Sequence, residues 1–228
     1  MVVRMRSHDE IFPNKAELAD AARKDLLCPP PVCDACRLDV GVFAAPPGDE
    51  ECFALWDRYA MPEHIRAHSL LVAQLASFLV EGVAAAGLHA DFAAVRASAL
   101  LHDLAKDYTI RYGGNHAQLG GVWVLEETHN PLVAQGVVHH VFWPWELDLA
   151  AFLLPLAVIY ADKRVMHRDV VTLEERFDDL FQRYGKTDYI VGRIEISRLQ
   201  AVALEQTFSR YLGVDLHAYT FDRGRLVE

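Results

Sequence analysis

From Pro62 onward the chain repeats one pattern: apolar residues recur every three or four positions, and each run is closed by Gly, Pro or Asn. The segments are PEHIRAHSLLVAQLASFLVEGVAAAG, DFAAVRASALLHDLAK, NHAQLGGVWVLEET, PLVAQGVVHHVF and LDLAAFLLPLAVIYADKRVM. Such spacing stacks apolar side chains on one face of an α-helix. Two closing amphipathic helices are predicted over 172–184 and 190–212, and Thr172-Leu-Glu-Glu175 has the spacing of a capping box. No stretch alternates convincingly with period two, so the pattern predicts an all-α domain with little or no sheet.

The first fifth of the chain reads differently. Residues 14–26 (NKAELADAARKDL) predict a short helix with Asn14 as its cap, stopped by the Pro run at 29–31. Residues 28–49 are rich in Pro, Cys and Gly and predict an irregular connection, after which Asp49 starts a new helical pattern. The expected organisation is an N-terminal extension over 1–50 with a Cys/Pro-rich segment, then one helical bundle over 51–228 that ends in a long helix.

Composition narrows the function. A chain of 228 residues with 52% hydrophobic content suits a single sizeable core. The formal net charge of −10 argues against a broad grip on nucleic acid, which needs basic faces to displace counterions. A small phosphorylated ligand remains compatible, provided that metal ions or local Lys and Arg side chains offset the acidic field. The N-terminus lacks the apolar core of a signal peptide and no run of 18 apolar residues occurs, so a cytoplasmic protein without membrane contact is expected. Cys28, Cys33, Cys36 and Cys52 superficially fit a cluster or zinc spacing, but their Pro-flanked context forms no ribbon or ferredoxin pattern. Reduced thiols are the expected state.

The chemistry lies in residues at the ends of successive predicted helices: His68, His102-Asp103, His116, His139-His140 and Asp162. A single His on an apolar face is more often a hydrogen-bonded core residue than a ligand. An ordered set is different, because a bundle gathers inward-facing side chains from several helices into one pocket. Imidazoles and carboxylates together suit Mn, Fe, Zn, Ni, Co or Mg rather than a thiolate-seeking ion. His102 and Asp103 point about 100° apart on an ideal helix, so both reach one ion only near a helix end or irregularity. Gly113-Gly114 is the expected exit.

The series AHSLLVA, LLHDLAKD, NHAQLGG, VVHH and IYADKR, running from about residue 60 to 170, resembles the HD superfamily of metal-dependent phosphohydrolases. The resemblance implies an HD-type helical domain in which His68, His102, Asp103 and Asp162 hold a first metal ion and Asp103 bridges to a second. It also implies that His116 and one of His139 and His140 complete a two-metal site. His140 is favoured, since an aliphatic residue typically stands three positions before this ligand and Val137 does so here. The nearest likeness is to bacterial HD proteins that hydrolyse dinucleoside polyphosphates and share the HAxxG and ADK phrases. The chain departs from them in its cysteine-bearing N-terminal segment, in HHVFWPWE and in its long C-terminal helix.

One or two bound divalent ions would lower the pKa of a coordinated water and polarise a phosphoryl oxygen. Lys106, three residues after Asp103, shares its helical face and is a candidate catalytic residue that steadies phosphate charge; the plainer alternative is a surface lysine. Lys163 and Arg164 are candidate substrate-binding residues, of which helix geometry lets one face the pocket easily. His64 lies one turn before His68 on the same face, and Trp143 and Trp145 are open to stacking on a base or to packing on the core. The function expected is hydrolysis of a nucleotide or another small phosphate ester by a metal-activated water. An HD-type di-iron oxygenase and a non-catalytic metal- or nucleotide-binding module are the alternatives. A homodimer through the C-terminal helices is left open.

Overall fold

The computed structural model describes residues 43–218. Contacts divide the chain between Val42 and Phe43, and the described residues belong to the second unit. The expected helix over 14–26, its Pro run and Cys28, Cys33 and Cys36 lie outside the described residues.

Helix α1 (Asp49–Arg58) is followed by α2 (Glu63–Ala85), α3 (Phe92–Leu101), α4 (Lys106–Tyr112), α5 (His116–Thr128), α6 (Pro131–His139) and α7 (Leu149–Lys163). A two-stranded antiparallel hairpin, β1 (Val165–Met166) and β2 (Asp169–Val170), pairs Val165 with Val170. Then come α8 (Leu173–Tyr184) and the long α9 (Asp188–Leu212). The fold is the all-α class that the sequence predicts.

Local chemistry sets most helix starts. The side chains of Asp91, Asn115, Asn130, Asp148, Thr172 and Thr187 each accept a backbone N–H from the first turn of the helix that follows. Each cap satisfies a donor that no intrahelical carbonyl can reach and contributes about 1 kcal/mol. The predicted capping box is present, with the Thr172 N–H donating to Glu175 Oε2 at 2.8 Å and the Glu175 N–H donating back to Thr172 Oγ1 at 3.1 Å.

Helix α2 is the spine. Val72, Leu75, Leu79 and Val83 are fully buried, as are Leu100 and Leu101 of α3 and Leu156 and Ile159 of α7. Leu204 and Phe208 of α9 close the core. By length and composition α2 could span a bilayer, but half of its apolar window is buried in the bundle, as in the core helix of a soluble fold.

Two predicted helices are interrupted. The segment DFAAVRASALLHDLAK breaks at residues 102–105, well before the glycines expected to end it. There the Leu104 N–H bonds the Leu101 carbonyl at 3.1 Å and the Lys106 N–H bonds the Asp103 carbonyl at 3.0 Å, a three-residue ladder in place of the α-helical one. The segment ending in ADKRVM stops at Lys163 instead of running to 166. Arg164 exchanges two bonds with Val171, Nε to the carbonyl at 2.7 Å and carbonyl from the N–H at 2.8 Å, and this non-local pairing turns the chain into the hairpin. Pro155 also kinks α7: it offers no N–H, its ring crowds the carbonyl of Ala151, and Phe152 leaves helical geometry at φ −132°, ψ 36°.

Candidate metal centre

Helix α2 supplies His68, the break after α3 supplies His102 and Asp103, the start of α5 supplies His116, and the ends of α6 and α7 supply His140 and Asp162. Their ligand atoms converge in two groups that share one carboxylate. Asp103 Oδ2 lies 3.4 Å from His102 Nε2 and 4.0 Å from His68 Nε2. Asp103 Oδ1 lies 3.4 Å from His116 Nε2 and 3.6 Å from His140 Nε2. Asp162 Oδ1 joins the first group, 3.1 Å from His68 Nε2 and 3.8 Å from His102 Nε2. His68, His102 and Asp103 could hold one ion, and Asp103, His116 and His140 another.

The break at 102–105 lets consecutive residues His102 and Asp103 both face the centre. Small residues bring the other helices close enough. A Cβ on Gly136 would sit 2.6 Å from Ser98 and 2.7 Å from Leu154, so only glycine lets α6 approach α3. A Cβ on Gly121 would overlap the Val138 side chain, which sets α5 against α6 and His116 opposite His140. The Asn115 cap fixes the register by starting α5 at His116.

The imidazoles are oriented for a cation. His102 Nδ1 and His140 Nδ1 each donate to a backbone carbonyl at 2.7 Å, of Ala99 and Val137. A carbonyl only accepts, so the proton sits on Nδ1 and the neutral ring turns its Nε2 lone pair into the cluster. His102 Nε2 and Asp103 Oδ1 are buried and accept no hydrogen bond among the described residues. Orphaned buried acceptors are costly, and a divalent ion among them would satisfy both. The donor set fits a borderline-hard metal.

Electrostatics point the same way. Burial pushes the Asp103 carboxyl up, but Lys106 and His102 outweigh it and hold the group well below the usual carboxylate range. Burial likewise opposes ionisation of Asp162, and Lys163 and His68 reverse it. Burial lowers His68 and His140, and burial together with His140 takes His116 down to about 4. Burial would lower His102 too, yet Asp103 and Asp162 raise it, so a proton and a metal ion compete for the same Nε2.

The cluster floors a cavity of about 540 Å³. Lys106 lines it and its Nζ donates to Asp103 Oδ2 at 2.5 Å, a pairing made across the turn at 102–105 and not on a shared helix face. Lys163 also lines it, with Nζ 2.6 Å from Asp162 Oδ2. Arg164 does not reach the cavity. Its guanidinium is buried against Tyr160 Oη at 2.6 Å, Glu205 Oε2 at 3.1 Å and the Leu216 carbonyl at 2.8 Å, so it ties α7 to α9 rather than facing substrate. His139 is turned away from the cluster, its ring 5.0 Å from that of Trp143 and 5.2 Å from that of Trp145. Trp143 is buried and donates to the Glu146 carbonyl, which is the core-packing alternative. His64 lines the cavity, and Cys52 is a buried free thiol.

Sequence reasoning missed Arg176, Arg183 and Arg193, which also line the cavity. The available signal was a stripe: Arg176, Phe177, Leu180, Arg183 and Tyr184 recur at helical spacing on one face of α8, and all five face the cavity. Arginine on that stripe reads as the polar edge of an amphipathic helix until the fold turns the face toward the metal ligands.

The model of the HD domain family matches residues 65–171, a span that contains every residue of the cluster. The match supports the HD superfamily for this part of the chain. No curated protein and no solved structure matches the chain.

Proposed function

We propose that the chain is a metal-dependent phosphohydrolase acting on a nucleotide or another small phosphate ester. The observation that carries this reading is the pair of ligand groups sharing Asp103 at the floor of a cationic cavity. Divalent ions bound there would supply a Lewis acid for the phosphoryl oxygen and an acidified water as nucleophile.

The chain's own residues account for the rest. Lys106, Lys163, Arg176, Arg183 and Arg193 line the cavity against two carboxylates, Asp103 and Asp162, in a protein of net charge −10. That local reversal of sign draws an anion toward the cluster and resists neutral competitors. Lys106 holds Asp103 with one ammonium proton and has two others to turn toward a phosphoryl oxygen. Ile190, Ile194 and Phe142 give the mouth an apolar side suited to the organic part of an ester. A neutral substrate would leave the cationic wall unmatched, which favours the hydrolase over an oxygenase of neutral diols.

The test is phosphate release from a panel of mononucleotides, dinucleoside polyphosphates and sugar phosphates, with Mn, Fe(II), Co, Ni and Mg supplied in turn. Metal-dependent turnover that disappears in Asp103→Ala supports the reading. Silence across the panel, in protein verified to hold metal, overturns it in favour of oxygenase chemistry or a binding module.

A further inference from the structure

The cavity extends beyond the cluster along α8 and α9, two helices that lie C-terminal to the span matched by the HD family model. Its walls are unlike the floor. Arg176 stands at the inner end, with Nη2 3.9 Å from Asp162 Oδ1 and a buried Nε that finds no hydrogen-bond partner among the described residues. Seven residues on, about 10 Å along the helix axis, Arg183 lines the same cavity. Asp179, which does not line the cavity, braces both: its carboxylate is 3.7 Å from Arg176 Nη1 and 2.8 Å from Arg183 Nε.

Arg183 is braced on a second side. Its Nη2 donates to His167 Nε2 at 2.7 Å, since a guanidinium cannot accept, and His167 is held at the tip of the hairpin with φ +59°. Arg193 of α9 lines the same cavity and lies over the Phe142 ring, 5.6 Å from its centroid. Three guanidinium groups from two helices therefore line the cavity that the metal ligands floor. Guanidinium forks match phosphate oxygens in paired hydrogen bonds, and bracing reduces the entropy lost on binding.

We infer that Arg183 and Arg193 form a second phosphate subsite, with Arg176 linking it to the cluster, so that the substrate carries at least one phosphate beyond the one cleaved. The inference rests on the hydrolase reading for which phosphate reacts, but the subsite is a binding property that is measurable without turnover. A monophosphate ester would occupy the floor and leave the outer arginines facing solvent.

Calorimetric titration of the full chain as purified tests this, with two probes: orthophosphate, and an inorganic triphosphate whose bridging oxygens are replaced by methylene so that it cannot be cleaved. The triphosphate analogue should bind at least about tenfold more tightly than orthophosphate, the scale of one charge-assisted pair. Arg183→Gln should remove most of that preference, weakening the triphosphate analogue by a much larger factor than orthophosphate. Arg193→Gln, on a different helix, should act alike, and Arg168→Gln, on the hairpin but outside the cavity lining, should change neither affinity. Equal affinity of the unaltered protein for the two probes, or equal weakening of both by Arg183→Gln and Arg193→Gln, overturns the subsite. Absence of phosphate release in the turnover panel would overturn the hydrolase reading and leave this comparison intact.

Discussion

His116 Nε2 and His140 Nε2 face each other at 3.1 Å, with Asp103 Oδ1 3.4 Å from the first and 3.6 Å from the second. Because His140 Nδ1 is committed to the Val137 carbonyl, the nitrogen turned toward His116 carries a lone pair when the ring is neutral. Such a triangle, with Asp103 and His140 buried and His116 half-buried at the junction of three elements, is a ligand set suited to a cation. Replacing both histidines by alanine should lower bound metal by about one ion per chain, read by elemental analysis, with helical circular dichroism retained. Unchanged stoichiometry would assign the metal to the His68 side alone.

Gly136 is where α6 meets α3, with no room for a Cβ beside Ser98 and Leu154. Gly136→Ala should destabilise the fold by about 1–3 kcal/mol through overpacking and should also weaken metal binding, because α6 carries His140. Denaturant unfolding and a metal titration on the same sample measure the two effects. Full stability with normal metal affinity would mean that the helices separate without cost.

Arg164 is assigned here to the framework, through Tyr160, Glu205 and the Leu216 carbonyl. Arg164→Met should cost about 3–5 kcal/mol by leaving Glu205 buried without its partner, and the double variant with Glu205→Leu should recover much of that loss. Substrate affinity per folded molecule should be unchanged in the double variant. A raised KM in that variant, at restored stability, would return Arg164 to a substrate-binding role.

Cys52 is fully buried, and burial, then Asp49 and Glu51, push its thiol up to about 12. A raised thiol leaves stability unaffected while both states are protonated. Above an unfolded value of 9.0 the unfolded chain ionises first, so Cys52 contributes a loss of stability between pH 9 and about 12. Cys52→Ala should flatten that part of the stability profile relative to the unaltered protein. The native thiol should also resist alkylation near pH 8 and react on unfolding; rapid modification of the folded protein would contradict the burial.

How much of this was legible in the sequence differs from residue to residue. The Thr172 capping box and the Asn115 start of α5 are local: side chain and backbone lie within three residues of each other, so spacing alone specifies them. Lys106 meets Asp103 as the three-residue spacing predicts, but across the turn at 102–105 and not along a helix face. The break at 102–105 was harder, since nothing in LLHDLAK signals a breaker and the turn is held only by short backbone bonds around buried ligands. Arg164 and Lys163 are adjacent and chemically alike, and only the position of Glu205, 41 residues on, shows which one is committed to the core.

The sequence by itself determined the helical class, the caps and the order of ligating residue types, because each depends on periodicity or on contacts between near neighbours. Tertiary structure alone decided which oxygen of Asp103 faces which pair of histidines, and that Arg176, Arg183 and Arg193 share a cavity with them. Those relations depend on how closely glycines let helices approach and on which face of α8 the hairpin turns inward, distances between residues far apart in the chain that no local pattern encodes.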